Sequence, residues 1–285
     1  AWNGQLPNLT KLDADTAKAL AEFKGELLIL DGLTTLDVET AKALAEFKCT
    51  WMSLDGLTTL DADTAKALAG LKAWNGQLPN LTKLDADTAK ALAEFKGDCL
   101  ILDGLTTLDA DTAKALAGFG GQHLHLNGMT AIDADTAKAL ADFKGYSMCL
   151  ERLTALDADT AKALGEFKGE VYLHNNAPKA FFAKNPLTPE TALAWAALVK
   201  GDLSHVTALD SPDAVAIAQA LATRKGPLKL PNLKKISPKT LTALIEKEDV
   251  EIPLIESLEL IPEPDGSTTE DFVIPERFQQ QRRTR

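Results

Sequence analysis

Across "ELLILDGLTTL" (26–36), apolar residues alternate: Leu28 and Leu30 fall on one side, and Leu27, Ile29 and Asp31 on the other. A period of two predicts a short strand. Gly32 lets the chain turn away, and Leu33 and Leu36 anchor the turn. From Asp37 the spacing changes. Ala41, Leu44 and Ala45 share one face at i, i+3, i+4, with Phe47 nearby, while Lys42 and Glu46 point to solvent, which predicts a helix of roughly ten residues. Asp37 suits the N-cap, where its carboxylate can accept from free backbone N–H groups. Glu39 places negative charge in the first turn, where the helix dipole favours it. The glycine after each helix, as at Gly25, suits a left-handed C-cap, although Cys49 and Ala73 hold that place in two repeats.

The pattern recurs. Its leading apolar residue falls at Leu12, Leu36, Leu60, Leu84, Leu108, Ile132 and Leu156, in steps of 24. Residues 1–25 reappear letter for letter as 73–97, the mark of a duplicated block of three repeats. One strand and one helix cannot bury their apolar side alone, but a stack can. Leu6, Leu30, Leu54, Leu78, Leu102, Leu126 and Leu150 would then form one row. With strands about 4.8 Å apart, the sheet would be on the order of 30 Å long.

Strand blocks such as "LLILDGLTTL" and "HLHLNGMTAI", each followed by a helix, resemble bacterial leucine-rich repeats, over about residues 1–260 and most clearly 1–169. The resemblance implies an α/β fold, a right-handed solenoid with short parallel strands on one face and short helices on the other. It also implies a scaffold that binds proteins on its strand face. The position where that family carries an asparagine ladder is here Leu33, Leu57 or Leu105, so that ladder is missing.

After Gly169 the ruler breaks. Residues 170–201 keep a strand and a helix around an inserted loop, "NNAPKAFFAKNP". Residues 207–226 and 228–249 are divergent repeats in which Ser-Pro replaces Asp-Ala at the helix start, where proline is tolerated. Residues 250–261 supply a final strand. Divergent terminal repeats cap a solenoid by covering its last apolar face. The expected organisation is therefore seven regular repeats over 1–169, a cap over 170–261 and a tail over 262–285. Composition alone predicts a disordered tail, though Phe272, Val273 and Ile274 offer an apolar group for docking.

The net charge of −11 argues against nucleic acid as a partner, because phosphates demand clustered Lys and Arg. Much of the excess lies in residues 246–271, with ten acidic residues against Lys247. No apolar run approaches the roughly 18–20 residues of a membrane span, and no signal peptide is visible. The chain starts Ala-Trp without methionine, which leaves room for an upstream part. Cys49, Cys99 and Cys149, an odd and sparse set, fit free thiols in a reducing compartment, weakly favouring the cytoplasm.

Aligned strands give two outward columns. One runs Asn3, Leu27, Trp51, Asn75, Cys99, His123, Ser147; the other runs Gln5, Ile29, Ser53, Gln77, Ile101, His125, Cys149. Cys99 beside His123 and Cys149 beside His125 have the chemistry of a zinc set. However, Cys99 and Cys149 are two strands and two residues apart, roughly 12 Å, while two cysteines on one zinc span about 10 Å at most. No metal site is expected, and no cofactor. The repeated Asp37/Glu39 pair is explained by capping, and no nucleophile triad or phosphate loop is visible, so no enzyme is expected. Trp2 and Trp74 are candidates for packing at the rim.

The helices barely differ between repeats whereas the outward columns range from Asn to Trp, Cys and His. That contrast predicts a non-catalytic scaffold binding a protein partner through Leu27, Ile29, Trp51, Ser53, Asn75, Gln77, Ile101, His123 and His125. The alternative is a structural protein that self-assembles end to end through exposed solenoid ends, because an open strand edge invites pairing.

Overall fold

The computed structural model describes residues 4–21, 25–153, 156–174, 177–198, 203–264 and 266. Trp2, Asn3 and the tail residues Phe272, Val273 and Ile274 lie outside them. The chain divides into two compact units, one of residues 1–155 with 166–173, the other of 156–165 with 174–285.

The first unit alternates helices and strands as the pattern predicts. Its helices are α1 (Ala14–Leu20), α2 (Val38–Leu44), α3 (Ala62–Ala69), α4 (Ala86–Leu92), α5 (Ala110–Leu116) and α6 (Ala134–Ala141). Its strands are β1 (Leu27–Ile29), β2 (Trp51–Ser53), β3 (Cys99–Ile101), β4 (His123–His125), β5 (Ser147–Leu150) and β6 (Glu170–Leu173). All pair in parallel. Leu30, Leu54, Leu78, Leu102, Leu126 and Leu150 are each fully buried, so the leucine row is the core; Leu6, in the first repeat, is only half-buried. Together these elements make an α/β solenoid with short parallel strands on one face and short helices on the other.

Each helix starts as its sequence dictates. Asp13, Asp37, Asp61, Asp85, Asp109 and Asp133 accept from the backbone N–H of the threonine three residues on, at 2.7–2.8 Å. In α2 to α6 that threonine is itself buried, Thr40 through Thr136. These bonds hold the Asp13, Asp37, Asp85, Asp109 and Asp133 carboxyls below the ordinary aspartate range.

The helix ends differ from expectation. The helices have seven or eight residues rather than ten, and Gly97, Gly121, Gly145 and Gly169 are not in the left-handed region. Each helix instead tightens through i to i−3 bonds, as from Phe95 N–H to the Leu92 carbonyl at 3.0 Å, which satisfies carbonyls that a glycine cap would have served. The glycines have another cause. A Cβ on any of the four would run into the ring of the phenylalanine two residues earlier. Those rings, Phe95, Phe119, Phe143 and Phe167, stack almost parallel at 5.9–6.3 Å and form a spine beside the leucine row.

The sheet is not continuous. β1 and β2 form one sheet, and β3 to β6 another. Between them the fourth repeat makes only isolated bridges, Met52 to Trp74 on one side and Gln77 to Ile101 on the other. The first pairing has an offset of 22 and the second of 24, so two extra residues, Asn75 and Gly76, bulge between them. Gly76 takes φ +75°, which a side chain resists. The slip seats Trp74 opposite Met52, buried and 4.7 Å from the Phe95 ring, in the core rather than at a rim.

Side chains one position after the second strand leucine replace the missing asparagine ladder. Asp31 accepts from Asp55 N–H at 3.1 Å, Asp103 from Asn127 N–H at 3.0 Å, and Asn127 Oδ1 from Glu151 N–H at 3.0 Å. Each joins one repeat to the next across 24 residues.

The second unit contains α7 (Ala158–Gly165), α8 (Ala177–Lys184), α9 (Pro189–Ala196), α10 (Ala214–Ala222) and α11 (Pro238–Ile245). The inserted loop expected at "NNAPKAFFAKNP" is largely helix α8, whose Phe181 packs on Trp195 of α9 at 5.3 Å. Ser237-Pro238 opens α11 as expected, with Ser237 accepting from Thr240 N–H. Ser211-Pro212 does not open α10. That helix begins at Ala214, after a turn closed by Ala214 N–H on the Ser211 carbonyl, and Asp213 gives it no side-chain cap.

The strands here are β7 (Ala208–Leu209), β8 (Leu228–Lys229), β9 (Lys235–Ile236), β10 (Val250–Glu251) and β11 (Glu259–Leu260). The single final strand expected over 250–261 is two short ones around a 3-10 turn, Ile255–Ser257. β10 joins β8, while β11, β9 and β7 form a second sheet next to the helix starts. Glu263, buried, reaches back to accept from Lys239 N–H in the first turn of α11 at 2.9 Å.

Candidate binding surface

The outward columns pair in the register the spacing predicts wherever a ladder forms. Leu27 lies opposite Trp51 and Ile29 opposite Ser53. Cys99, His123 and Ser147 run in one line, and Ile101, His125 and Cys149 in the next. β6 extends both with Glu170 and Tyr172, one residue short of the 24-residue ruler.

The columns are not uniformly open. Trp51 is 45% exposed on β2, while Leu27, Ile29, Asn75, Gln77, Ile101, His123 and His125 are half-buried. Ser53, Ser147 and Cys149, expected outward, are buried. Polar contacts draw the two serines down. Ser53 Oγ lies 2.5 Å from Asp31 Oδ1 and 2.8 Å from Asp55 Oδ1, and Ser147 Oγ lies 2.8 Å from His123 Nδ1. Asn75 donates through Nδ2 to Asp55 at 3.3 Å and accepts from Gln77 N–H at 3.0 Å. Sequence reasoning missed Tyr146, 54% exposed beside the column, with its ring edge-on to His123 at 6.0 Å. Its place immediately before a strand, where other repeats carry Glu26 or Asp98, was the available signal.

The chemistry of the columns is that of contact. His123 engages Ser147, which commits one ring nitrogen. Burial pushes the Cys99 thiol up from its ordinary value, with the charges of Asp103 and Asp98 adding to the effect, so the free thiol is a weak nucleophile. Among the described residues no group of three or more His, Cys, Asp or Glu is placed to hold a metal ion. None of their helices is long and apolar enough to cross a membrane. On the helix side, Lys42 and Glu39 form an exposed ion pair at 2.8 Å. Such a pair contributes little to stability.

No protein-family model and no curated protein matches the chain. Among solved structures, a TLR13–ssRNA13 complex is similar with a TM-score of 0.45 and 19% identity, covering 83% of this chain and 36% of that one. The Toll–Spatzle complex of Drosophila is similar with a TM-score of 0.39 and 12% identity, covering 78% of this chain and 38% of that one. This chain thus spans a little over a third of the length of either.

Proposed function

We propose that this chain is a non-catalytic repeat scaffold that binds a protein partner on the strand face of its first unit. One observation carries the reading. Trp51 stands 45% exposed on a strand whose inward neighbour Met52 is buried. Burying a tryptophan ring stabilises a fold or an interface, and this ring is left open to a partner. Leu27 and Ile29 on the neighbouring strand extend the apolar patch, and Asn75, Gln77, Ile101, His123 and His125 vary the surface around it. Ser53 lies beneath the patch.

Affinity purification with the intact chain, repeated with Trp51→Ala, tests this. A partner captured by the intact chain should bind the variant at least about 2 kcal/mol more weakly by calorimetry, the usual cost of losing an aromatic anchor. The melting temperature should hardly move. Lys42→Glu and Lys66→Glu on the helix side should leave binding unchanged. Binding that follows the lysines and ignores Trp51 puts the partner on the helix side.

A further inference from the structure

The strand face has a one-sided charge. The residue before each strand and the residue after its second leucine include Glu26, Asp31, Asp55, Asp98, Asp103 and Glu151 beside the neutral Thr50, Gln122, Asn127 and Tyr146, and neither place holds Lys or Arg in any of these strands. Of the lysines of the same repeats, Lys42, Lys66 and Lys90 lie on the helices, and Lys48, Lys72 and Lys96 in the turns that follow them. Near Trp51 two carboxylates come together. Ser53, two residues along the same strand, touches the carboxylates of both Asp31 and Asp55, and two residues of strand span only about 7 Å. Both carboxylates remain partly open to solvent, and Glu26 is exposed at the other end of β1. An open indole face with a pair of carboxylates two residues along the strand suits a guanidinium or ammonium group. The ring attracts the cation through its quadrupole and the carboxylates pair with it.

Resting on the binding face proposed above, we infer that its occupant is an extended cationic protein segment with an Arg or Lys side chain laid along Trp51 and its charge reaching the Asp31 and Asp55 carboxylates. The alternating geometry of the strands suits such a segment, because successive side chains of an extended chain face opposite ways. A cation also fits the overall charge of −11, which speeds the approach of a basic partner at low salt.

The probe is a peptide of alternating Gly and Arg, eight residues long, compared with the same peptide carrying citrulline in place of Arg. Citrulline keeps the shape and removes the charge. The intact chain should bind the arginine peptide at least tenfold more tightly than the citrulline peptide. Trp51→Ala and Asp55→Asn should each weaken the arginine peptide at least fivefold, while Asp63→Asn on the helix side leaves it unchanged. Fluorescence of the exposed indole should change on binding in the intact chain and not in Trp51→Ala. Circular dichroism and melting of each variant confirm that the fold persists. Equal binding of the two peptides overturns the inference, as does arginine-peptide binding that is the same in Trp51→Ala, since that is general attraction to an acidic protein. The binding face and its occupant fail separately. A captured partner that depends on Trp51 but neither competes with the arginine peptide nor weakens with salt keeps the face and overturns the cation.

Discussion

The fourth repeat of the first unit and the last helical repeat of the second share a phrase. "LPNLTKL" (78–84) and "LPNLKKI" (230–236) lead into helices α4 and α11, which have little else in common. Leu78 and Leu230 are both fully buried. Asn80 Nδ2 donates to the Asp55 carbonyl at 2.9 Å, and Asn232 Nδ2 to the Ser204 carbonyl at 2.7 Å, each reaching the preceding repeat. Beyond the shared phrase the two repeats diverge. α4 starts on Asp85 and packs Phe95 into the ring spine. α11 starts on Ser237, and its unit adds a second sheet and ion pairs between neighbouring strands, Lys229 to Glu251 at 3.1 Å and Lys235 to Glu259 at 3.3 Å. The repeat therefore needs a buried leucine, a polar side chain tying it to its neighbour, and some oxygen at the helix start. The letter-for-letter regularity of the first unit exceeds what the fold requires.

The largest expected effect tests the shared part. Leu78→Ala and Leu230→Ala should each cost about 2–5 kcal/mol in denaturant melts, as buried truncations do, whereas Gln77→Ala should cost about 0.5 kcal/mol or less. A mild Leu230→Ala beside a severe Leu78→Ala would break the equivalence of the two regions.

Acid tests the divergent part. The capping carboxyls of Asp13, Asp37, Asp85, Asp109 and Asp133 have pKa values lowered in the folded state, chiefly by the threonine N–H bonds. Their stabilisation is complete above the unfolded aspartate value of about 3.9 and is lost as pH falls through the lower folded values. Below about pH 4, amide exchange should rise in α1, α2, α4, α5 and α6 before it rises in α11, whose Ser237 does not titrate. Simultaneous opening would remove the capping distinction.

A single cap is a smaller test. Asp85→Ala should cost about 1 kcal/mol, while Asp213→Ala, at a helix start without a side-chain bond, should cost about 0.5 kcal/mol or less. Smallest of all, Lys235→Ala removes a half-exposed pair with Glu259 and should change stability by about 0.5 kcal/mol or less, diminishing further in high salt. A larger loss would show that the second sheet depends on its ion pairs.

Much of the first unit was legible because a 24-residue period repeats one local choice many times. The leucine row, the aspartate caps and the pairing of Leu27 with Trp51 all stem from it. Three features escaped for physical reasons. The glycines after the helices looked like helix caps because capping is a local rule, whereas their actual constraint comes from a phenylalanine ring folding back over them. The slip at Trp74 was hidden because the sequence keeps its step of 24 there, and only the positive φ of Gly76 displaces the pairing. The ladder through Asp31, Asp103 and Asn127 stands in "LDG" and "LNG", two residues before the place an asparagine ladder would occupy, where aspartate and asparagine read locally as ordinary turn residues. In the second unit, strands of two residues are too short for any alternation to register, so the sheet of β7, β9 and β11 had no signature. Of the surface, the columns were legible but not which members sink: Ser53 and Ser147 are pulled inward by partners that only the folded chain brings near.

The discontinuity between Met52 and Trp74 has a consequence for how such a chain lengthens. It lies where the second copy of the duplicated 25-residue block begins. Across that seam one backbone bridge stands where a full ladder joins β1 to β2, while α3 and α4 pack directly against each other. Under tension the seam would bear its load on packed helices rather than on a zipper of amides. A further copy that carried Trp74 and Gly76 with it would bring the same slip to its own junction, and length would then be gained at the expense of strand pairing.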